Sequence, residues 1–200
     1  MERKSLESVA ANYPYLQGLW AIPMGFSTII VGISNLQRRP AGLLMLGIIV
    51  GGMALTLVAY LLIARYYRHN YGEVTRTRGR RLREAVAVVA WVGVLFVGAN
   101  RFLLWSLDSP LCIYAAAFAL ATLVCYAILV GLRAHHIIIW GAVLLAGLLP
   151  IWGGLGVDRD AVAMFPLGVA LIASGLLDQR LLVRSLRSSS QSIDSSNARE

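Results

Sequence analysis

The chain has 200 residues, a mean hydropathy of +0.69 and 14% charged side chains, which excludes an ordinary water-soluble globule, where about 25% are charged. Its net charge of +8 is carried by arginine, with Lys4 as the one lysine. No nucleic-acid recognition motif accompanies that charge, so it is read as the basic cytoplasmic flank of membrane helices. The expected class is an all-α, multi-pass protein of the cell membrane, since in lipid only helices or closed barrels satisfy the backbone internally.

Residues 1–15, with Arg3 and Lys4 against Glu2 and Glu7, read as a cytoplasmic N-terminal segment. The first apolar run leaves through Ser34-Asn35-Leu36-Gln37, which has no small-residue cleavage site, so it is expected to stay as a transmembrane helix. Six spans are expected, at 16–36, 42–64, 85–107, 111–132, 137–157 and 161–183, each near the roughly 20 residues a bilayer crossing needs. Residues 16–183 thus form one six-helix domain. Aromatic residues are expected at the interfaces: Tyr13, Tyr15 and Trp20, then Tyr66, Tyr67 and Tyr71, then Trp105, Trp140 and Trp152. The serine-rich tail, 184–200, has too few apolar residues to bury and is expected to be disordered.

Orientation follows from the basic residues. With the N-terminus inside, one face carries Arg3, Lys4, the seven arginines of the 65–83 loop (Arg65, Arg68, Arg76, Arg78, Arg80, Arg81, Arg83), Arg133, Arg180, Arg184, Arg187 and Arg199, fourteen in all. The other carries four, Arg38, Arg39, Arg101 and Arg159. Both termini are therefore expected in the cytoplasm. The 65–83 loop, whose one acid is Glu73, is expected to meet anionic lipid headgroups.

Small residues and prolines indicate how the helices close. Gly47 with Gly51, and Ala117 with Ala121, have the small-x-x-x-small spacing that lets helices approach. Pro23, Pro150 and Pro166 are expected to kink their helices. Pro23-Met24-Gly25 with Gly32 echoes Pro166-Leu167-Gly168 with Gly175; the echo pairs the first span with the sixth, which a three-plus-three duplication would not do, so it is read as chance or shared packing. Cys112 and Cys125, about 20 Å apart along one helix, cannot bridge.

The sequence carries no catalytic signature, neither a G-x-S-x-G elbow nor a phosphate-binding loop. No acid is expected deep in the bilayer, Asp178 lying near the inner end of the last span, and this argues against carboxylate-driven transport. Arg101, beside Asn100, is the most membrane-immersed cation; it either pairs with the outer-face acids Asp108, Asp158 and Asp160 or holds an anion or lipid headgroup. His135 and His136 diverge by about 100° on a helix, and with no acid or cysteine spaced to complete a site they are read as interfacial, with no metal and no cofactor expected. Three functions follow: a non-enzymatic, permease-like or partner subunit, with a protein subunit or an ATPase as partner; a lipid-acting enzyme using Arg101; or a sensor signalling through the basic loop. Composition biased to Arg, Ala and Gly points to a bacterial inner membrane, and nothing in the sequence sets the oligomeric state.

Overall fold

The computed structural model describes residues 18–36, 42–71, 79, 82–93, 110–129, 131–152, 155 and 158–197, and all of their regular structure is helical. A 3-10 turn, Gly18–Trp20, leads into α1 (Ala21–Leu36); α2 is Leu43–Tyr71. α3 covers residues 82–93. Then follow α4 (Ile113–Leu129), α5 (Ala134–Leu148) and α6 (Arg159–Asn197).

Among the described residues, three stretches are long and apolar enough to cross a membrane: Gly18–Leu36, Ile49–Asn70 and Arg159–Ser185. Ile113–Leu129 and Ala134–Leu148 are apolar but shorter. The expected third span, 85–107, is described only as far as residue 93, and the N-terminal segment lies outside the described residues.

Element ends differ from the sequence reading for identifiable reasons. α5 was expected to reach residue 157 with a kink at Pro150. Instead it stops at Leu148, with Leu149 extended (φ −77°, ψ 142°), because the proline ring drives the preceding residue out of helical space. Pro23 falls in the first turn of α1, where a missing N–H costs no intrahelical bond; Pro166 lies inside α6. α2 runs past the expected boundary at 64 to Tyr71, so Arg65 and Arg68 lie on a helix rather than in a loop. α6 continues as helix through the serine-rich segment to Asn197.

Among the described residues the most extensive helix pair is α1 against α6, antiparallel and joined along a seam of small residues. A Cβ built at Gly18 would lie 2.0 Å from the Gly175 carbonyl oxygen, one at Gly25 would lie 2.6 Å from that of Gly168, and one at Gly32 would lie 2.9 Å from that of Ala161. Each series repeats every seventh residue, close to two helical turns, so its members share one face. The Pro-x-Gly echo is therefore shared packing: its two copies are the two sides of one seam. The anticipated Gly47/Gly51 face takes no part, since a Cβ at either position meets nothing within 4 Å among the described residues.

α4, α5 and α6 enclose the main apolar core, formed by Phe118, Ala119, Trp140, Val143, Leu167, Ala170 and Leu171. Trp140, expected at an interface, is fully buried there. Ala121 is buried as well, but the close approach of α4 to α5 is at Gly147, whose Cβ would lie 2.7 Å from the Ala116 nitrogen. α2 leans on the 3-10 turn through stacked Trp20 and Tyr60 (5.4 Å) and on α1 through a Ser27–Thr56 hydroxyl pair (2.7 Å). Met53, Leu55, Leu57 and Leu61 of α2 face outward, as apolar side chains do when their solvent is hydrocarbon.

Candidate functional site

Among the described residues, the turn between α4 and α5 builds a polar interior. Gly131 takes a left-handed conformation (φ +82°) that favours glycine, and its N–H donates to the Tyr126 carbonyl (2.9 Å), closing α4. Arg133 then enters α5 from an extended conformation (φ −105°, ψ 157°). This reversal sets Tyr126 of α4 beside His136 of α5, with the rings stacked at a centroid distance of 3.7 Å and 21° between planes.

α6 supplies the acid. Asp178 Oδ1 lies 3.0 Å from His135 Nε2 and 3.1 Å from His136 Nε2, its Oδ2 lies 3.2 Å from His136 Nε2, and the Tyr126 hydroxyl donates to Oδ2 at 3.5 Å. An ionised carboxylate only accepts hydrogen bonds, so with Asp178 charged each imidazole presents its proton at Nε2. The cluster is withdrawn from solvent: His136 is 0% exposed and Asp178 3%, while the His135 side chain, at 18%, forms the open edge. The 3-10 turn covers it from the α1 side, where a Cβ on Gly18 would meet the Asp178 Cβ at 2.9 Å. A second polar link lies next to it, the Tyr67 hydroxyl of α2 donating to Gln179 Oε1 and accepting from the Leu19 N–H at 3.3 Å.

His135, His136 and Asp178 each offer a ligand atom within 4.8 Å of the others. The expectation that no acid was spaced to serve the two histidines is thus corrected. The 100° divergence of neighbouring helical residues does not keep their ring tips apart, since the two ring centroids are 4.0 Å from one another. A signal for this was present in the chain: under the expected topology, the start of span five and the end of span six share the cytoplasmic side, so the histidines and Asp178 belong to one end of a helical hairpin.

The other sequence candidates are placed as follows. Asn100, Arg101 and Asp108 lie outside the described residues, as do Arg76, Arg78, Arg80 and Arg81. Arg65 and Arg68 are exposed on α2, and Arg83 is exposed on α3. At the opposite end of α6, Arg159 is buried with its Nε 3.9 Å from the Asp160 carboxylate, and the Cys112 thiol donates to the same Asp160 oxygen at 3.7 Å. Asp158 is half-buried beside them. No protein-family model, curated protein or solved structure matches this chain.

Proposed function

We propose that the chain is a six-span, non-enzymatic subunit of permease-like character in the inner or plasma membrane, with both ends cytoplasmic, and that it handles a small cation at the Asp178 cluster. The observation behind this reading is Asp178 itself, whose expected place near the inner end of the last span argues against carboxylate-driven transport: it is instead 3% exposed within the last long apolar helix, and its ion-pair partners among the described residues are two imidazoles and no arginine or lysine. An ionisable group inside a membrane helix is costly and marks an ion path or coupling centre by default. The fourteen-to-four distribution of basic residues supports the orientation, in which the basic segment around Arg65 and Arg68 would face anionic headgroups.

The test is flux. Full-length chain is reconstituted in sealed vesicles carrying either a pH-sensitive dye or a Co²⁺-quenched dye inside. Entry of protons or Co²⁺ should exceed that into empty vesicles, saturate, and fall to background with Asp178→Asn. Wild-type vesicles no more permeable than empty ones to either ion would rule out the permease-like reading.

One contact favours a sensor as the second reading. Tyr67 lies between Arg65 and Arg68 on α2 and is bonded to Gln179, the neighbour of Asp178. A change in the charge held at Asp178 would therefore be felt by the basic end of α2, and the stimulus-dependent capture of a soluble regulator would be its signature.

A further inference from the structure

We infer that His135, His136 and Asp178 form a site for one divalent first-row transition ion, of which Zn²⁺ and Co²⁺ are the usable probes. The inference rests on the cation reading of this cluster and names the cation. Two imidazole nitrogens and one carboxylate oxygen are a borderline donor set, suited to Zn²⁺, Co²⁺ or Fe²⁺; Ca²⁺ and Mg²⁺ take all-oxygen shells with many waters.

The spacing fits such an ion. Donors about 2.1 Å from a metal are separated by about 3.0 Å at octahedral and about 3.4 Å at tetrahedral edges. The carboxylate-to-imidazole distances are 3.0, 3.1 and 3.2 Å. The two imidazole nitrogens, within 4.8 Å of each other, need a small inward rotation of His135, the more exposed of the two rings at 18%. Three protein ligands leave at least one position for water or a passing ligand, the arrangement of working rather than purely structural sites.

The neighbours also bear on the orientation of His136 and Asp178. Stacking on Tyr126 fixes the plane of His136, and the Tyr126 hydroxyl faces the second Asp178 oxygen at 3.5 Å, where outer-shell groups stand in other sites. To bind, each imidazole gives up its Nε2 proton and carries a proton at Nδ1, so the ring stays neutral while a lone pair turns to the ion. His136 Nδ1 makes no hydrogen bond among the described residues and is free to carry it. His135, at the open edge, is the route of entry.

The experiment is a Co²⁺ titration of chelator-stripped, full-length protein in detergent, followed by visible d–d absorption and by Zn²⁺ competition, with thermal melting run beside it. One Co²⁺ per chain is expected, displaced by Zn²⁺ but not by excess Mg²⁺ or Ca²⁺. His135→Ala, at the partly exposed ligand, should keep the fold and weaken binding by ~100-fold or more, beyond the roughly 10–100-fold that loss of an outer-shell partner costs. Asp178→Asn should do the same, and His135→Cys should restore binding with a sulfur-to-cobalt charge-transfer band. Folded wild type that takes up neither ion overturns the metal site, while proton flux into vesicles still judges the broader cation reading. Uptake undiminished in both His135→Ala and Asp178→Asn overturns it as well, because the ion then lies elsewhere. Binding as expected without flux would keep the site and sink the permease.

Discussion

Gly25→Ala isolates the α1–α6 seam, because the three atoms nearest the methyl it adds all belong to α6 and two of them are backbone. Its Cβ would lie 2.6 Å from the Gly168 carbonyl oxygen and 3.2 Å from the Ile172 nitrogen, both backbone atoms, and 2.7 Å from Ile172 Cγ1. An ordinary contact at that oxygen needs about 3.4 Å, so α1 and α6 must separate by most of an ångström at this layer. Dispersion contacts are short-ranged, and a radial gap of about 0.5–1 Å forfeits a quarter to a half of the well. Overpacking of this kind costs about 1–3 kcal/mol, and the upper half of that range is expected here because no rotamer change relieves a backbone clash. The assay is thermal melting of purified protein, with Gly47→Ala as the control: the same chemistry on α2, where a Cβ meets nothing within 4 Å, should be neutral or mildly stabilising through helix propensity. Gly168→Ala addresses the same layer from the other side, its Cβ lying 2.6 Å from the Gly25 carbonyl oxygen. Once one methyl has forced the helices apart the second meets less resistance, so the double variant should lose less than the sum of the singles. Gly25→Ala melting with Gly47→Ala would refute the seam.

Tyr67→Phe removes the hydroxyl shared by Gln179 and the Leu19 N–H; leaving these partners unpaired in a buried corner should cost about 1–3 kcal/mol, read as a lower melting temperature, and an unchanged melt would show that water replaces the hydroxyl. For topology, single cysteines are placed in a chain with Cys112 and Cys125 replaced. A cysteine at the exposed Ile151 should react with an impermeant thiol reagent in intact cells and one at the exposed Arg68 should not, the reverse pattern inverting the orientation; the buried Arg159 is unsuited to this test.

The helices were legible because the requirement that selects them is local. In lipid every backbone group must be satisfied within its own segment, so apolar length and polar breaks locate the end of α1 and the starts of α2, α4 and α6 to within a few residues, while the ends of α2 and α6 run on as helix past the apolar stretch. What failed was set by neighbours or by a single ring: Pro150 ended α5 instead of bending it, and Trp140, an interface residue by type, became the centre of the core because α4 and α6 close over it. The seam was visible as an echo, yet recognising it required knowing that the first and last helices are adjacent and antiparallel, which no local rule provides. The Asp178 cluster was split across 42 residues between His136 and Asp178, and judging the histidines by their divergence on one helix ignored the second helix that brings the acid. Asn100 and Arg101, favoured for depth alone, drew attention to the opposite end.

Seam and site meet at Gly18. This residue packs on Gly175, one helical turn before Asp178, and its added methyl would lie 2.0 Å from the Gly175 carbonyl oxygen and 2.9 Å from the Asp178 Cβ. The close approach that seals α1 on α6 therefore also covers the carboxylate. Gly32, at the far end of the same seam and about 20 Å away along α1, would meet the Ala161 carbonyl oxygen at 2.9 Å and the Met164 Cβ at 3.0 Å, with no contact to the cluster. Gly18→Ala and Gly32→Ala should both lower the melting temperature, since both push backbone from backbone. Only Gly18→Ala should also move Asp178 against His135 and His136, and so weaken Co²⁺ binding in folded protein about tenfold, in the range that loss of outer-shell support produces. Equal Co²⁺ affinity in the two variants would show that the seam holds the helices together without positioning the carboxylate.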